Sequence, residues 1–407
     1  MKISTIIYSY SPYTCGGADI YAEQISKHLA QRGHESVVIT TRPYSGMNSL
    51  KPLLEYRDKV KIYRFYPLNL YFLPNPPRST YLRAIWSLID TWNPHSYYVV
   101  KSILAREKPD VVHLHSPVSL SLSMFSAVKS LKLPLILTVH DYHLLCKRTF
   151  LLHGNGDLCT NPRAICSFYR RVSRLLASGK PDIVISPSQF ALDMMLNAGF
   201  FVDAAKFCLP NGVQIPKQPE EKIQNEYLDL LYLGAVSKHK GVHLLIQAFR
   251  QVKDQNLRLH IAGAGSDLGE FKNMAEGDPR IKFYGFISGE TKDELFKLAD
   301  LLVLPTIWYE NSPNVIRESF ASGIPVIASN IGGIPEMVKS GYNGALFEAG
   351  NVDELRGVLE ELAQDPSKVN RLSKIASESA RQYDIEEHVN QLESLYQEIG
   401  LRRDEFQ

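Results

Sequence analysis

The sequence predicts an α/β protein of two domains, each built on a parallel sheet, and three observations lead there. The chain has 407 residues, too many for one ordinary core and suited to two domains of about 200 residues each. Short apolar runs of strand length alternate with stretches of helical periodicity, the pattern of βαβ units. That alternation occurs twice, on either side of a polar stretch without an apolar period.

The first series places strands near Ile3–Tyr8, Ser36–Thr40, Val60–Phe65, Val111–Leu114, Leu135–Val139 and Ile183–Ser186. Helices intervene. Between Ala18 and Gln31 the residues Ile20, Tyr21, Ile25 and Leu29 read onto one face, and Gly33 supplies the stop. After Pro210-Asn211-Gly212 the chain turns polar from Pro216 to Asn225, which reads as the linker. The second series has strands at Leu228–Leu233, Leu257–Ala262, Ile281–Tyr284, Leu301–Leu304 and Pro325–Ala328, with a helix near Val242–Val252. The expected domains are residues 1–213 and 214–384, facing a central cleft.

A composition of 44% hydrophobic and 22% charged residues excludes a disordered or fibrous chain. The N-terminal run Ile3–Tyr8 is broken by hydroxyls and reads as a buried strand rather than a signal peptide. No segment reaches the roughly 18 uninterrupted apolar residues of a membrane span, so a cytoplasmic location is expected, with peripheral contact at the inner membrane face as a further expectation. Five cysteines in a reducing compartment argue for thiols rather than a disulfide framework.

Charge is unevenly divided. Up to Gly212 there are 24 lysines and arginines against 13 acidic residues, and beyond it 21 against 30. The basic half suits anionic lipid, a phosphorylated acceptor or a merely solvated surface. Nucleic acid ranks last, because the surplus is scattered rather than gathered with aromatics. The aromatic-rich segment Tyr63–Tyr98 could receive a lipid, although packing onto the first domain is the preferred account.

The most informative stretch is Pro305-Thr-Ile-Trp-Tyr-Glu310-Asn-Ser-Pro-Asn314-Val-Ile-Arg-Glu318, which follows a buried strand and opens a helix at Ser312 or Pro313. Unpartnered N–H groups and the macrodipole make such a helix start favourable for phosphate oxygens. Glu310 lies in the turn, positioned for a sugar, and Glu318 is read two turns into the helix, positioned for ribose hydroxyls.

This Glu-x7-Glu pattern resembles the donor site of the retaining glycosyltransferase family 4, of the GT-B fold with two Rossmann-like domains. The resemblance continues through Ala321-Ser-Gly-Ile-Pro, Gly332-Gly-Ile-Pro-Glu336, Gly341-Tyr-Asn-Gly344 and, at the other end, Gly16-Gly17-Ala18 with Gly33-His34. It implies transfer of a sugar, with retention and without a metal or other cofactor, from a nucleotide-sugar to an acceptor hydroxyl. The setting it implies is polysaccharide or glycolipid assembly, with a sugar or lipid-linked acceptor. By resemblance His140 and Glu310 are catalytic, and Gly16, Gly17, Lys240, Phe286, Asn314, Val315, Ile316 and Glu318 bind the donor. A last helix, within residues 385–407, is expected to return to the first domain.

One departure is Ala235, where the family commonly carries arginine; Lys238 is a candidate replacement. The loss keeps open a second reading, a nucleotide-sugar-binding protein with weak or no transferase activity. The absence of an Asp-x-Asp pair agrees with a metal-free site. Gly263-Ala-Gly265 fails the third spacing of a dinucleotide fingerprint. Cys146, Cys159 and Cys166, with His143 and His153, lack Cys-x2-Cys spacing, and His113 with His115 read as buried, hydrogen-bonded histidines.

Overall fold

A computed structural model describes residues 1–14, 16–73, 79–153, 156–216 and 226–404. Most of the linker read at Pro216–Asn225 lies outside the described residues, as does Cys15. The chain divides into two units: Met1–Leu151, Cys159–Pro210 and Glu386 onward form the first, and Leu152–Leu158 with Asn211–Ile385 the second.

In the first unit the chain runs β1 (Lys2–Ile6), α1 (Gly17–Gln31), β2 (Glu35–Thr41), β3 (Leu53–Arg57), β4 (Val60–Phe65), α2 (Thr80–Thr91), α3 (Pro94–Glu107) and β5 (Val111–Leu114). It continues through α4 (Ser123–Ser130), β6 (Leu135–Thr138), α5 (Ala164–Ala177), β7 (Ile183–Ser186), α6 (Gln189–Asn197) and β8 (Ala205–Cys208). These strands make an eight-stranded sheet in the order β3-β4-β2-β1-β5-β6-β7-β8. Its neighbours are parallel except β3 and β4. The central strands are continuous apolar runs because both faces are covered, as a parallel sheet requires; all of Val111–Leu114 is buried.

The inward face of α1 differs from the sequence expectation. Ile20 is exposed, and Asp19, Tyr21, Ala22, Ile25, Ser26, Leu29 and Ala30 are inside. Ser26 Oγ donates to the Ala22 carbonyl at 2.7 Å and the Asp19 carboxylate accepts the Gly16 N–H at 3.1 Å, so buried polar groups occupy places that hydropathy gives to Ile20.

The second unit runs β9 (Leu228–Leu233), α7 (Val242–Gln251), β10 (Leu257–Ala262), α8 (Leu268–Met274), β11 (Ile281–Gly285), α9 (Glu290–Leu298) and β12 (Leu301–Leu304). Then come α10 (Asn314–Ala321), β13 (Val326–Ser329), α11 (Ile334–Met337), β14 (Gly344–Phe347), α12 (Val352–Gln364) and α13 (Pro366–Ala380). Its six-stranded sheet, in the order β11-β10-β9-β12-β13-β14, is parallel throughout. The order reverses between β9 and β12, and such a switch point is where ligands bind at strand C-terminal ends.

The last helix, α14 (Ile385–Asp404), belongs to the first unit from Glu386 on. It is held there by specific pairs. Tyr21 Oη meets His388 Nε2 at 2.6 Å, Arg32 Nη1 donates to Glu393 Oε2 at 2.8 Å, and Tyr396 Oη meets His113 Nδ1 at 2.8 Å. Among the described residues no helix is long and apolar enough to cross a membrane.

Candidate functional site

In the second unit β12 ends at Leu304 and α10 begins at Asn314, so the Glu310 turn leaves the sheet beside the switch point. Glu310 is buried there. Its Oε1 accepts from Lys240 Nζ at 2.6 Å and from Trp308 Nε1 at 2.8 Å. Lys240 Nζ also lies 4.9 Å from the centre of the Trp308 ring, within cation–π range. Two predicted site residues far apart in sequence are thus in direct contact, and Trp308, which the sequence reading passed over, joins them.

Backbone contacts fix this arrangement. Gly333 N–H donates to the Glu310 carbonyl at 2.8 Å. At Gly332, φ is +63° and a Cβ would lie 2.8 Å from the Glu310 nitrogen and closer still to its carbonyl oxygen. Only glycine fits there. Gly241, with φ +72°, sits even closer to Pro305: a Cβ would lie 2.6 Å from the Pro305 carbonyl carbon and much nearer its oxygen. Ile307 N–H donates to the His239 carbonyl at 3.0 Å, so the segment carrying Lys240 is seated on the segment carrying Glu310. The Gly263–Gly265 segment serves the same frame, with Gly234 N–H donating to the Ala262 carbonyl at 3.0 Å and Val236 N–H to that of Ala264 at 3.0 Å.

Pro313 caps α10 without a side-chain bond. Arg317 is buried and pins the turn, donating through Nη1 to Ser312 Oγ at 2.6 Å and through Nη2 to Asn314 Oδ1. The Ile316 N–H donates to the Pro313 carbonyl at 3.2 Å, a bond that a phosphate would have to share. Glu318 stands about one turn into α10, not two, because the helix starts only at Asn314. It pairs with Lys292 Nζ at 2.8 Å. Phe286, just past β11, is 80% exposed.

Ala235 is exposed, and its carbonyl accepts from Tyr232 Oη at 2.6 Å. Lys238 does not join Lys240: its Nζ pairs with Glu270 at 3.0 Å, and its N–H donates to Asp267 Oδ2 at 2.8 Å.

In the first unit His140 follows β6. Its Nε2 meets His115 Nδ1 at 3.1 Å, the two rings stack 5.3 Å apart, and Tyr21 approaches edge-on at 5.2 Å. His113 is buried and bonded to Thr138 Oγ1 at 2.7 Å. Burial pushes His113 down to about 3 and His115 well below the ordinary imidazole value, so both are neutral. Gly16 precedes α1, and the protein leaves room at it: a Cβ would meet only Tyr8 Oη at 3.8 Å. Gly17 opens the helix. Cys146, Cys159, Cys166 and Cys208 are free thiols. Among the described residues no cluster of three histidine, cysteine or acidic side chains is arranged to hold a metal ion.

Residues 15–215 match the family model described as Glycosyltransferase Family 4, and residues 214–379 match that of Glycosyl transferases group 1. The chain belongs to the group 1 glycosyltransferases. It is 25% identical over 397 residues to the MMP alpha-(1->4)-mannosyltransferase of Mycolicibacterium hassiacum, spanning 91% of this chain and 92% of that one. It is 23% identical over 417 residues to the N-acetyl-alpha-D-glucosaminyl L-malate synthase of Bacillus anthracis, spanning 99% of each. In fold it is similar to a sucrose-phosphate synthase from Thermosynechococcus elongatus, with a TM-score of 0.76, 18% identity and 98% of each chain covered. Anabaena HepE in complex with UDP-glucose is similar at a TM-score of 0.70 and 20% identity, over 98% of this chain and all (100%) of that one. This glycosyltransferase has the two parallel-sheet units of the GT-B fold.

Proposed function

We propose that this glycosyltransferase binds a nucleotide-sugar in its second unit and transfers the sugar, with retention and without a metal ion, to a hydroxyl of a sugar or lipid-linked acceptor. The observation that carries the reading is the Lys240–Glu310 contact of 2.6 Å at the turn into α10. A cation and a helix start placed together meet the charge that develops on a departing diphosphate. Lys240 and the amides of Asn314, Val315 and Ile316 take the phosphates, Glu318 the ribose, and the backbone around Phe286 the base. Glu310 faces the sugar and the donor phosphate accepts the acceptor's proton, while His140 of the first unit is assigned to catalysis by the family resemblance alone. The family resemblance assigns Gly16 and Gly17 to the approach of phosphate and acceptor. The basic surplus of the first half suits an anionic membrane face, where an acceptor of polysaccharide or glycolipid assembly would be met.

The second reading, binding without turnover, is favoured only by Ala235, with Lys238 held on Glu270. Thermal unfolding against UDP, GDP, ADP and their sugar conjugates, with and without chelator, tests both. A ligand at 100 times its dissociation constant stabilises by about 2.7 kcal/mol. A chelator-insensitive shift with one base, accompanied by nucleotide release from its sugar conjugate, is the expected result. A shift without release supports binding alone, and a shift abolished by chelator overturns the metal-free site.

A further inference from the structure

Helix α5 is docked the wrong way round for a soluble surface helix. Its inner face is polar: Tyr169 Oη donates to the His143 carbonyl at 2.9 Å, Arg170 Nε to the Leu145 carbonyl at 2.8 Å and Ser173 Oγ to the Leu144 carbonyl at 2.7 Å. Lys147, paired with Asp90 of α2 at 3.1 Å, lies 5.4 Å from the centre of the Tyr169 ring and closes this seat. Three large apolar residues point out, while Val172 and Leu176 are half-buried and Ala177 is inside. Ile165 is 75%, Phe168 67% and Leu175 81% exposed, and their spacing of three and seven residues sets them along one stripe. A helix normally turns such a stripe to the core.

The rim of the stripe is basic. Arg163, Arg171 and Arg174 are exposed, and α5 contains no acidic residue. We propose that α5 is a docking surface for an anionic lipid bilayer: the stripe enters the boundary between headgroups and acyl chains, and the arginines reach lipid phosphates. A second copy of the chain fits less well, because a two-fold contact would set the arginine rim against itself with no carboxylate on the helix to answer it. The hydrogen bonds of the inner face hold α5 in this orientation, so docking requires no refolding.

This deepens the peripheral membrane contact proposed above and is independent of the donor reading, because vesicle binding is measured on the full chain without nucleotide. The experiment is co-sedimentation with phosphatidylcholine vesicles, alone and with about one third phosphatidylglycerol. Binding to the anionic vesicles alone is expected, reduced by high salt. Phe168→Asp should weaken it at least about tenfold, and Arg171→Glu by about fivefold or more. Both positions are exposed, and circular dichroism of each variant checks that the fold is kept. Absent binding to anionic vesicles, or binding unchanged by Phe168→Asp in a folded variant, overturns the proposal. So does sedimentation velocity showing a wild-type dimer that Phe168→Asp dissociates, since the occupant is then a second copy.

Discussion

Gly332→Ala tests the frame of the site without touching any group that does chemistry. The new Cβ would stand 2.8 Å from the Glu310 nitrogen, nearer its carbonyl oxygen, and at a φ of +63°. The left-handed conformation alone costs a non-glycine residue about 1–2 kcal/mol. Relieving the contact moves the Glu310 backbone by about 1 Å, and a misplacement of that size costs about 100-fold in rate. The Gly333 N–H bond to the Glu310 carbonyl resists the movement, so the strain appears in stability as well. Gly357→Ala is the control, since Gly357 lies exposed within α12 with nothing within 4 Å of its Cβ position, and alanine there should stabilise by about 0.5–1 kcal/mol. Thermal unfolding and nucleotide release from the donor that stabilises the wild type are measured on both variants. Native turnover and an unshifted Tm in Gly332→Ala would refute the claim that this glycine seats Glu310.

Trp308→Phe keeps an aromatic ring beneath Lys240 but removes the indole N–H from Glu310 Oε1. A hydrogen bond to a charged group contributes about 1.5–3 kcal/mol, so kcat should fall about 10- to 100-fold while the donor-induced thermal shift stays nearly constant. Asp90 provides a pH test: burial raises its carboxyl from 3.8 to about 7 against the attraction of Lys147, with His143 Nε2 4.0 Å away. Between those values the folded state binds the extra proton, so this group makes stability fall as pH rises from about 4 to about 7, by at most about 4 kcal/mol. Urea unfolding should show that slope flattened in Asp90→Asn, and parallel curves would dismiss the assignment.

What was legible in the sequence follows from how each element is buried. Val111–Leu114 and Leu301–Leu304 are covered on both faces and read as continuous apolar runs. The strands β3, β8 and β14 left no such signal: β3 is an edge strand with four of its five residues exposed, β8 alternates on the opposite edge, and β14 is four residues opening with glycine. Periodicity shows that a helix has two faces but not which one is inside, and so Ile20 was set inward while Asp19 and Ser26 took the interior. In the site, the motif gave Glu310 and Glu318, but the partners of Glu310 come from loops that no local pattern connects. Trp308 carried no signal apart from being next to the motif, and Arg317, one residue before Glu318, read like any solvated helix charge although its guanidinium is buried.

On the proposed function Lys240 would serve two anions in turn, Glu310 and a donor phosphate, and the consequence can be measured. Its ammonium lies on Glu310, whose side chain is 8% exposed beside 21% for Lys240. On that reading a diphosphate at the start of α10 would compete for the same cation, and Ala235 would add no second one. Trp308 is a neutral donor to the same Oε1 at 2.8 Å, so on that reading the carboxylate would keep a partner when Lys240 turns to the phosphate. Lys240→Met should therefore destabilise the free protein, because it leaves a buried carboxylate with the indole as its remaining partner here; breaking a buried pair costs about 3–5 kcal/mol, and the partial exposure of Lys240 brings this to about 1–3 kcal/mol. Adding Glu310→Gln removes the stranded charge. The double variant should recover most of the lost stability and bind nucleotide as weakly as Lys240→Met alone, since the diphosphate has lost its cation in both. A double variant no more stable than Lys240→Met would show that the 2.6 Å contact contributes nothing to the resting site, and the two-anion account would fall with it.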